Sequence, residues 1–209
     1  MRPCPICHST SHQPLGTRTL QHAKLVWVHD DVLCLDCGMV YDRRDWIQAE
    51  LDDYYMGNYE CARNADYPAQ LALLKRYAPA DGIAHDVSIG SMGDSLYDVV
   101  NCYYVLEHLI DPAGLVREMV AHLKPNGVLI VEVPDFERCP EPALFPEHLQ
   151  QFTSEHLALL LNNAGLFVVE SINGLSRPFG ICKVAMRRWG IQARYASAKT
   201  AYGAECATP

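Results

Sequence analysis

No stretch of this 209-residue chain approaches the roughly 20 consecutive apolar residues that a membrane-spanning helix requires. The start, Met1-Arg2-Pro3-Cys4-Pro5, lacks the apolar stretch that would follow the early charge of a signal peptide. A cytoplasmic protein with no membrane partner is therefore expected. Basic residues are also few: 17 Lys and Arg stand against 25 Asp and Glu, for a formal net charge of -8. That balance excludes a general nucleic-acid binder, which needs a basic face to neutralise phosphates. Nothing points to disorder, since 49% of residues are hydrophobic and 20% charged. An even set of cysteines is missing too. The count is nine, which fits a disulfide framework poorly and, in a reducing compartment, favours metal binding.

Four of the nine fall into two Cys-x-x-Cys pairs, Cys4-Pro5-Ile6-Cys7 and Cys34-Leu35-Asp36-Cys37, with 26 residues between them. Each pair can form a tight knuckle that aims two thiolates at one point. Two knuckles make a closed tetrahedral four-sulfur shell suited to structural Zn2+. Gly38 follows the second pair, where a knuckle often needs positive φ. Lys24–Val28 and Val32-Leu33 read as short strands, which completes the layout of a zinc ribbon. Such a module is too small to fold on apolar burial alone, so the metal would supply the missing free energy. His8 and His12 are expected to face solvent, since four cysteines already fill the shell.

Beyond the ribbon, a helix is expected near Tyr67 to Tyr77, followed by a break at Ala78–Gly82. The chain then alternates strand and helix. Tyr97–Cys102 and Val128–Val133 read as buried parallel strands, and Asp111-Pro112 opens a helix to about Leu123. Pro125-Asn126-Gly127 turns the chain. A second helix, capped by Ser154, runs to about Asn163, and Leu166–Ile172 with Ile181–Met186 forms a terminal hairpin. The domains expected are a ribbon over 1–48, a helical connector over 49–80, an α/β sheet domain over 81–187 and a tail over 188–209. Cys102 and Cys182 read as small core residues.

Three segments carry a resemblance. Tyr97-Asp98-Val99-Val100, Val105-Leu106-Glu107-His108-Leu109 and Leu123-Lys124-Pro125-Asn126-Gly127-Val128-Leu129 are similar to the fourth strand, following helix and fifth strand of class I S-adenosylmethionine-dependent methyltransferases. The ribbon resembles that of methyltransferases with an amino-terminal zinc module, among them the deoxysugar C-methyltransferases. The resemblance implies a Rossmann-like methyltransferase sheet, S-adenosylmethionine as cofactor and a small-molecule acceptor such as a nucleotide-linked keto sugar. It also implies a catalytic Glu-His pair ahead of an aromatic residue and Ser/Thr. Glu147-His148 before Phe152-Thr153 matches it, with His148 as base and Glu147 orienting it. Tyr55 and Tyr59 are the nearest candidates for acceptor-facing tyrosines, and Tyr59 is expected in the site. Asn101 and Tyr103, at the carboxyl end of the fourth strand, stand where such cofactors lie. His108 reads as local packing or a hydrogen bond near that cleft.

The family's Gly-rich cofactor turn is not evident. Only residues 78–96 lie between Tyr77 and Tyr97, too few for the two βαβ units of about 30 residues each that would precede the fourth strand. Asp86–Asp94 can imitate the Gly-rich turn, with Gly90 and Gly93 as close-approach positions, or be a short third strand left after deletion of the earlier units. The second reading is preferred because no helix signal follows Gly93. The sheet is then truncated, and Asp98–Cys102 becomes an exposed apolar edge that calls for a dimer or a protein partner to cover it. A non-catalytic binding or assembly module is the alternative to an enzyme.

Overall fold

The computed structural model describes residues 1–22, 25–47, 51, 68–87 and 91–187. Tyr55, Tyr59, Gly90 and the tail over 188–209 lie outside the described residues. Among the described residues no helix is long and apolar enough to cross a membrane.

The amino-terminal part is a sheet of β1 (His12–His22), β2 (Leu25–Cys34) and β3 (Val40–Asp42). The two short strands expected over Lys24–Leu33 are one continuous strand, β2, and its antiparallel partner β1 was not foreseen. The sequence of β1, His-Gln-Pro-Leu-Gly-Thr-Arg-Thr-Leu-Gln-His, has no regular apolar alternation. It is a strand because β2 offers it a hydrogen-bonding edge, and the register shifts between Pro14 and Gly16, where a proline cannot donate to the ladder.

The second sheet has the order β4 (Ala84–Asp86), β5 (Tyr97–Tyr103), β6 (Leu123–Pro134), β9 (Gly180–Arg187) and β8 (Leu166–Asn173). Strands β4, β5 and β6 are parallel, and β9 is antiparallel to both of its neighbours. The terminal hairpin is as expected. The apolar run over Val128–Val133 is buried on both faces, as a covered parallel sheet demands. Leu129, Val131 and Val133 join Val100, Cys102, Val116, Met119 and Leu160 in one core. Val128 and Ile130 join Val99, Cys182, Val184 and Leu73 in the other. Leu73 belongs to α1 (Pro68–Tyr77), while Val116 and Met119 belong to α2 (Pro112–Ala121) and Leu160 to α3 (Ser154–Asn163). Each fully buried aliphatic side chain contributes roughly 1.5–3 kcal/mol.

Three expectations are corrected. The cap of α3 is Thr153, whose side chain accepts from the His156 N–H, one residue before Ser154. Residues Pro125-Asn126-Gly127 lie within β6, at the irregularity where Leu123 faces Tyr97 and Val128 faces Val99. The strand β5 is not a bare edge, because Ala84, His85 and Asp86 pair with Val99, Val100 and Asn101. That pairing puts β4 beside the fourth strand, the place the family gives to its first strand. A two-residue strand, β7 (Gln150–Gln151), pairs with β3 and ties it to the rest of the chain.

Buried polar groups knit α1 and the β8–β9 loop to β6. The carboxylate of Glu132 accepts from Gln70 Nε2 (3.2 Å), Tyr104 Oη (3.0 Å), and the backbone N–H (3.0 Å) and Oγ (2.6 Å) of Ser176. Gly180 is what leaves room for this. A Cβ there would overlap the Tyr104 hydroxyl and stand 2.5 Å from Glu132 Oε1. Gly180→Ala is expected to lower stability by roughly 1–3 kcal/mol through overpacking. Urea melts would read this as a lower midpoint, and an unchanged midpoint would show that the Glu132 hub is not structural.

Candidate functional site

Sγ of Cys4 lies 3.6 Å from Sγ of Cys37, and Sγ of Cys7 lies 3.5 Å from Sγ of Cys34. All four sulfurs fall within 4.8 Å of one another, and all four cysteines are free. Zinc–sulfur bonds of about 2.3 Å in a tetrahedron would set the sulfurs ~3.8 Å apart. The donor set and spacing therefore fit the metal. The two knuckles share one backbone device. Cys4 and Cys34 carbonyls accept from the N–H of His8 and Gly38, both at 3.0 Å, and both acceptor-closing residues have positive φ, 60° and 78°. Gly38 behaves as foreseen. His8 is exposed as expected, whereas His12 is half-buried, with Nε2 3.1 Å from the Arg43 guanidinium.

The knuckles are docked on α3. His156 Nε2 meets the Cys37 carbonyl at 2.9 Å, and Asn163 Nδ2 donates to the Ile6 carbonyl at 3.1 Å. Arg2 extends the junction. Its guanidinium donates to the carbonyls of Asp42 (2.6 Å), Ile110 (3.0 Å) and Leu149 (3.2 Å) and to Gln150 Oε1 (3.1 Å). Gln150 Nε2 in turn donates to the carbonyls of Leu106 (2.6 Å) and Leu109 (2.8 Å). The four-cysteine module thus braces the segment 148–151, and that segment braces the turn after β5.

That turn begins at Tyr104, whose φ of 54° is uncommon for a residue with a side chain. A single 3₁₀ turn, Leu106–His108, follows, with all three residues buried. It brings Glu107 and His108 against His148 beyond the carboxyl ends of β5 and β6. The rings of His108 and His148 pack edge to face with centroids 4.8 Å apart, and Phe145 packs on His148 at 5.2 Å. His108 Nε2 lies 3.7 Å from Glu107 Oε1, and one ligand atom from each of Glu107, His108 and His148 lies within 4.8 Å of the others. Neither carboxyl oxygen of Glu107 makes a hydrogen bond among the described residues. Burial pushes this carboxyl up to about 8, with Glu132 and Glu147 nearby adding to the effect. Burial likewise holds His108 down at about 4. Below pH 8 and above pH 4 both groups are therefore mainly neutral.

Of the residues named from the sequence, His148 lies in this cluster. Glu147 meets it through its backbone carbonyl, 3.2 Å from Nδ1 of His108. The carboxyl buried between the histidines is that of Glu107, which sequence reasoning did not single out. A signal was present: Glu-His-Leu occurs three times, at 107–109, 147–149 and 155–157. All three histidines are buried, two in the cluster and the third on the metal knuckle. Asn101 and Tyr103 lie on β5 just before the turn, on the sheet face of Val99. Asn101 is buried opposite Asp86, and the buried Tyr103 hydroxyl has no hydrogen-bond partner among the described residues. Burial raises the Tyr103 hydroxyl well above its ordinary range. An unpaired buried hydroxyl at the carboxyl end of a parallel strand is where a nucleoside-like ligand would find a partner.

A family model described as "Methyltransferase domain" matches residues 28–171. A probable S-adenosylmethionine-dependent methyltransferase of Mycolicibacterium smegmatis is 34% identical over 100 residues, covering 46% of this chain and 38% of the relative. One of Mycobacterium tuberculosis is 30% identical over 113 residues, covering 53% and 41%. The chain thus spans about two fifths of the length of these curated relatives. In fold it is similar to the 1,6-didemethyltoxoflavin-N1-methyltransferase of Burkholderia thailandensis, with a TM-score of 0.50, 13% identity, and coverage of 73% of this chain and 97% of that one. With more than half of its residues inside the family match, the chain belongs to the methyltransferase domain family.

Proposed function

We propose that this chain transfers a methyl group from S-adenosylmethionine to a small-molecule acceptor, where Glu107, His108 and His148 meet the carboxyl ends of β5 and β6. The observation that carries the reading is this buried cluster at the place where open parallel sheets bind their ligands. When bound, S-adenosylmethionine supplies an electrophilic methyl on a sulfonium. The protein's tasks are then orientation, exclusion of water and removal of the acceptor's proton. Asn101 and the Tyr103 hydroxyl are the groups we assign to the cofactor, together with Gly90. His148 is assigned to the acceptor's proton, held in place by His108, Phe145 and the Leu149–Gln150 brace, and Tyr59 is assigned to the acceptor by resemblance alone. A nucleotide-linked keto sugar is the acceptor class suggested by the ribbon and the Glu147-His148 pair. The four cysteines hold structural Zn2+ in this reading. A non-catalytic assembly module is less well supported, since it gives no use to a carboxyl and two imidazoles buried together.

Titration calorimetry with S-adenosylmethionine tests the assignment. Micromolar binding is expected, weakened about tenfold or more by Asn101→Ala, in line with a buried hydrogen bond of roughly 1.5 kcal/mol. Folded, zinc-loaded protein that gives no heat with S-adenosylmethionine would sink the proposal.

A further inference from the structure

The Glu107 cluster has the composition of a second metal site. Two imidazoles and one carboxylate are the donor set of open catalytic centres, both zinc sites with a water in the fourth position and facial-triad iron sites. All three residues are buried, and their nearest ligand atoms lie within 4.8 Å. Contraction to the ~3.3–3.5 Å between donors expected of bonds near 2.0–2.1 Å needs only small side-chain rotations.

Two further observations point to an ion. First, the Glu107 carboxyl is buried with neither oxygen hydrogen-bonded among the described residues, an arrangement that is destabilising if nothing compensates it. A cation would satisfy both oxygens at once. Second, Nδ1 of His108 faces the Glu147 carbonyl at 3.2 Å. An N–H donated there fixes the tautomer and turns the lone pair of Nε2 toward Glu107, 3.7 Å away. Metal-ligating histidines are typically oriented by such a carbonyl on the other nitrogen. Gln150 adds rigidity by holding the carbonyls on either side of the Glu107-His108 pair.

We propose that Glu107, His108 and His148 bind one divalent first-row transition-metal ion, distinct from the ion at the four cysteines. The open position of such an ion would take an oxygen of the acceptor and lower its pKa. In the loaded site the ion would stabilise the acceptor's oxyanion and the proton would leave to solvent, with His148 a ligand and no longer the base. The function in this last step rests on the methyl-transfer reading; the binding itself does not.

The test counts metal without using the cofactor. Full-length protein is loaded with excess Co2+, passed through a desalting column and analysed for bound metal and visible absorption. Wild type should carry one equivalent more than Glu107→Gln and one more than His148→Ala, whatever the occupancy of the cysteines. The extra equivalent should lack the intense thiolate charge-transfer band of a four-sulfur site. Circular dichroism and thermal melts of each variant verify folding, and Glu107→Asp, which keeps the carboxylate, should recover part of the extra equivalent. Equal metal content in wild type and folded Glu107→Gln overturns the proposal. A failure of calorimetry with S-adenosylmethionine would leave this count unaffected, so the two readings fall separately.

Discussion

Replacing Cys34 with serine will unfold the amino-terminal sheet and loosen the active-site segment with it. Cys34 is buried at the end of β2, and its sulfur is one corner of the four-thiol shell. The sheet it closes has little apolar core of its own. Its buried Val32 and Tyr41 join the main core of the chain, and its Trp27 packs with Leu51 and Leu149 from outside the sheet. Structural zinc in isolated modules contributes roughly 10–16 kcal/mol near neutral pH, so loss of one thiolate should remove on the order of 5 kcal/mol from this part of the molecule. The loss will not stay local. Strand β3 pairs with β7, the Asp42 N–H donates to the Leu149 carbonyl at 2.8 Å, and Arg2 spans the same junction. Hydrogen exchange should therefore show amides of residues 25–42 and 148–151 losing protection together in Cys34→Ser or after chelation, while those of β6 and β9 keep theirs. Unaltered protection over 25–42 in Cys34→Ser would mean that the cysteines are not what holds the module.

What the sequence showed and what it hid follow from the range of the forces concerned. The two cysteine knuckles, the run Val128–Val133, the Asp111-Pro112 start of α2 and the terminal hairpin are legible because each is set by neighbours within a few residues. Strand β1 is hidden because its own residues do not prefer a strand; β2 imposes it. The place of β4 is hidden because three residues, Ala84, His85 and Asp86, carry no pattern, and only pairing with Val99–Asn101 shows that the β5 edge is covered. With that edge covered, the main reason to expect a dimer or a covering partner weakens. Glu107 is the most instructive case. In sequence it is half of a Glu-His pair in a strand-to-helix turn, next to which Glu147-His148 looked the better match to a known pattern. The contact of residues 107–108 with 148–150 depends on the positive φ at Tyr104 and on Gln150 reaching the carbonyls of Leu106 and Leu109. A composition or a spacing contains neither.

His148→Ala is expected to slow methyl transfer by a factor of roughly 10²–10⁴ while leaving affinity for S-adenosylmethionine within a few-fold of wild type. The split follows from position. Asn101 and Tyr103 lie on β5 before the turn, whereas His148 enters from the β7 side, against His108 and Phe145. Removing the ring should cost stability only about 0.5–1.5 kcal/mol for each lost aromatic contact, too little to unfold the chain. Conversion of S-adenosylmethionine to S-adenosylhomocysteine with a panel of nucleotide-linked keto sugars measures the rate, and calorimetry measures the affinity. Full activity in a folded His148→Ala protein would remove His148 from the mechanism. The comparison with Glu107→Gln then separates the two chemical roles open to the cluster. A free imidazole base needs no carboxylate to bind an ion, so Glu107→Gln should retain most of the rate if His148 acts alone. A cation held by Glu107, His108 and His148 makes the two variants equivalent, since losing either ligand empties the site. Glu107 and His148 sit on segments 40 residues apart in sequence, joined by the 2.9 Å bond from the Leu149 N–H to the Glu107 carbonyl. Matching losses of rate and of one metal equivalent from both would identify them as parts of one catalytic centre.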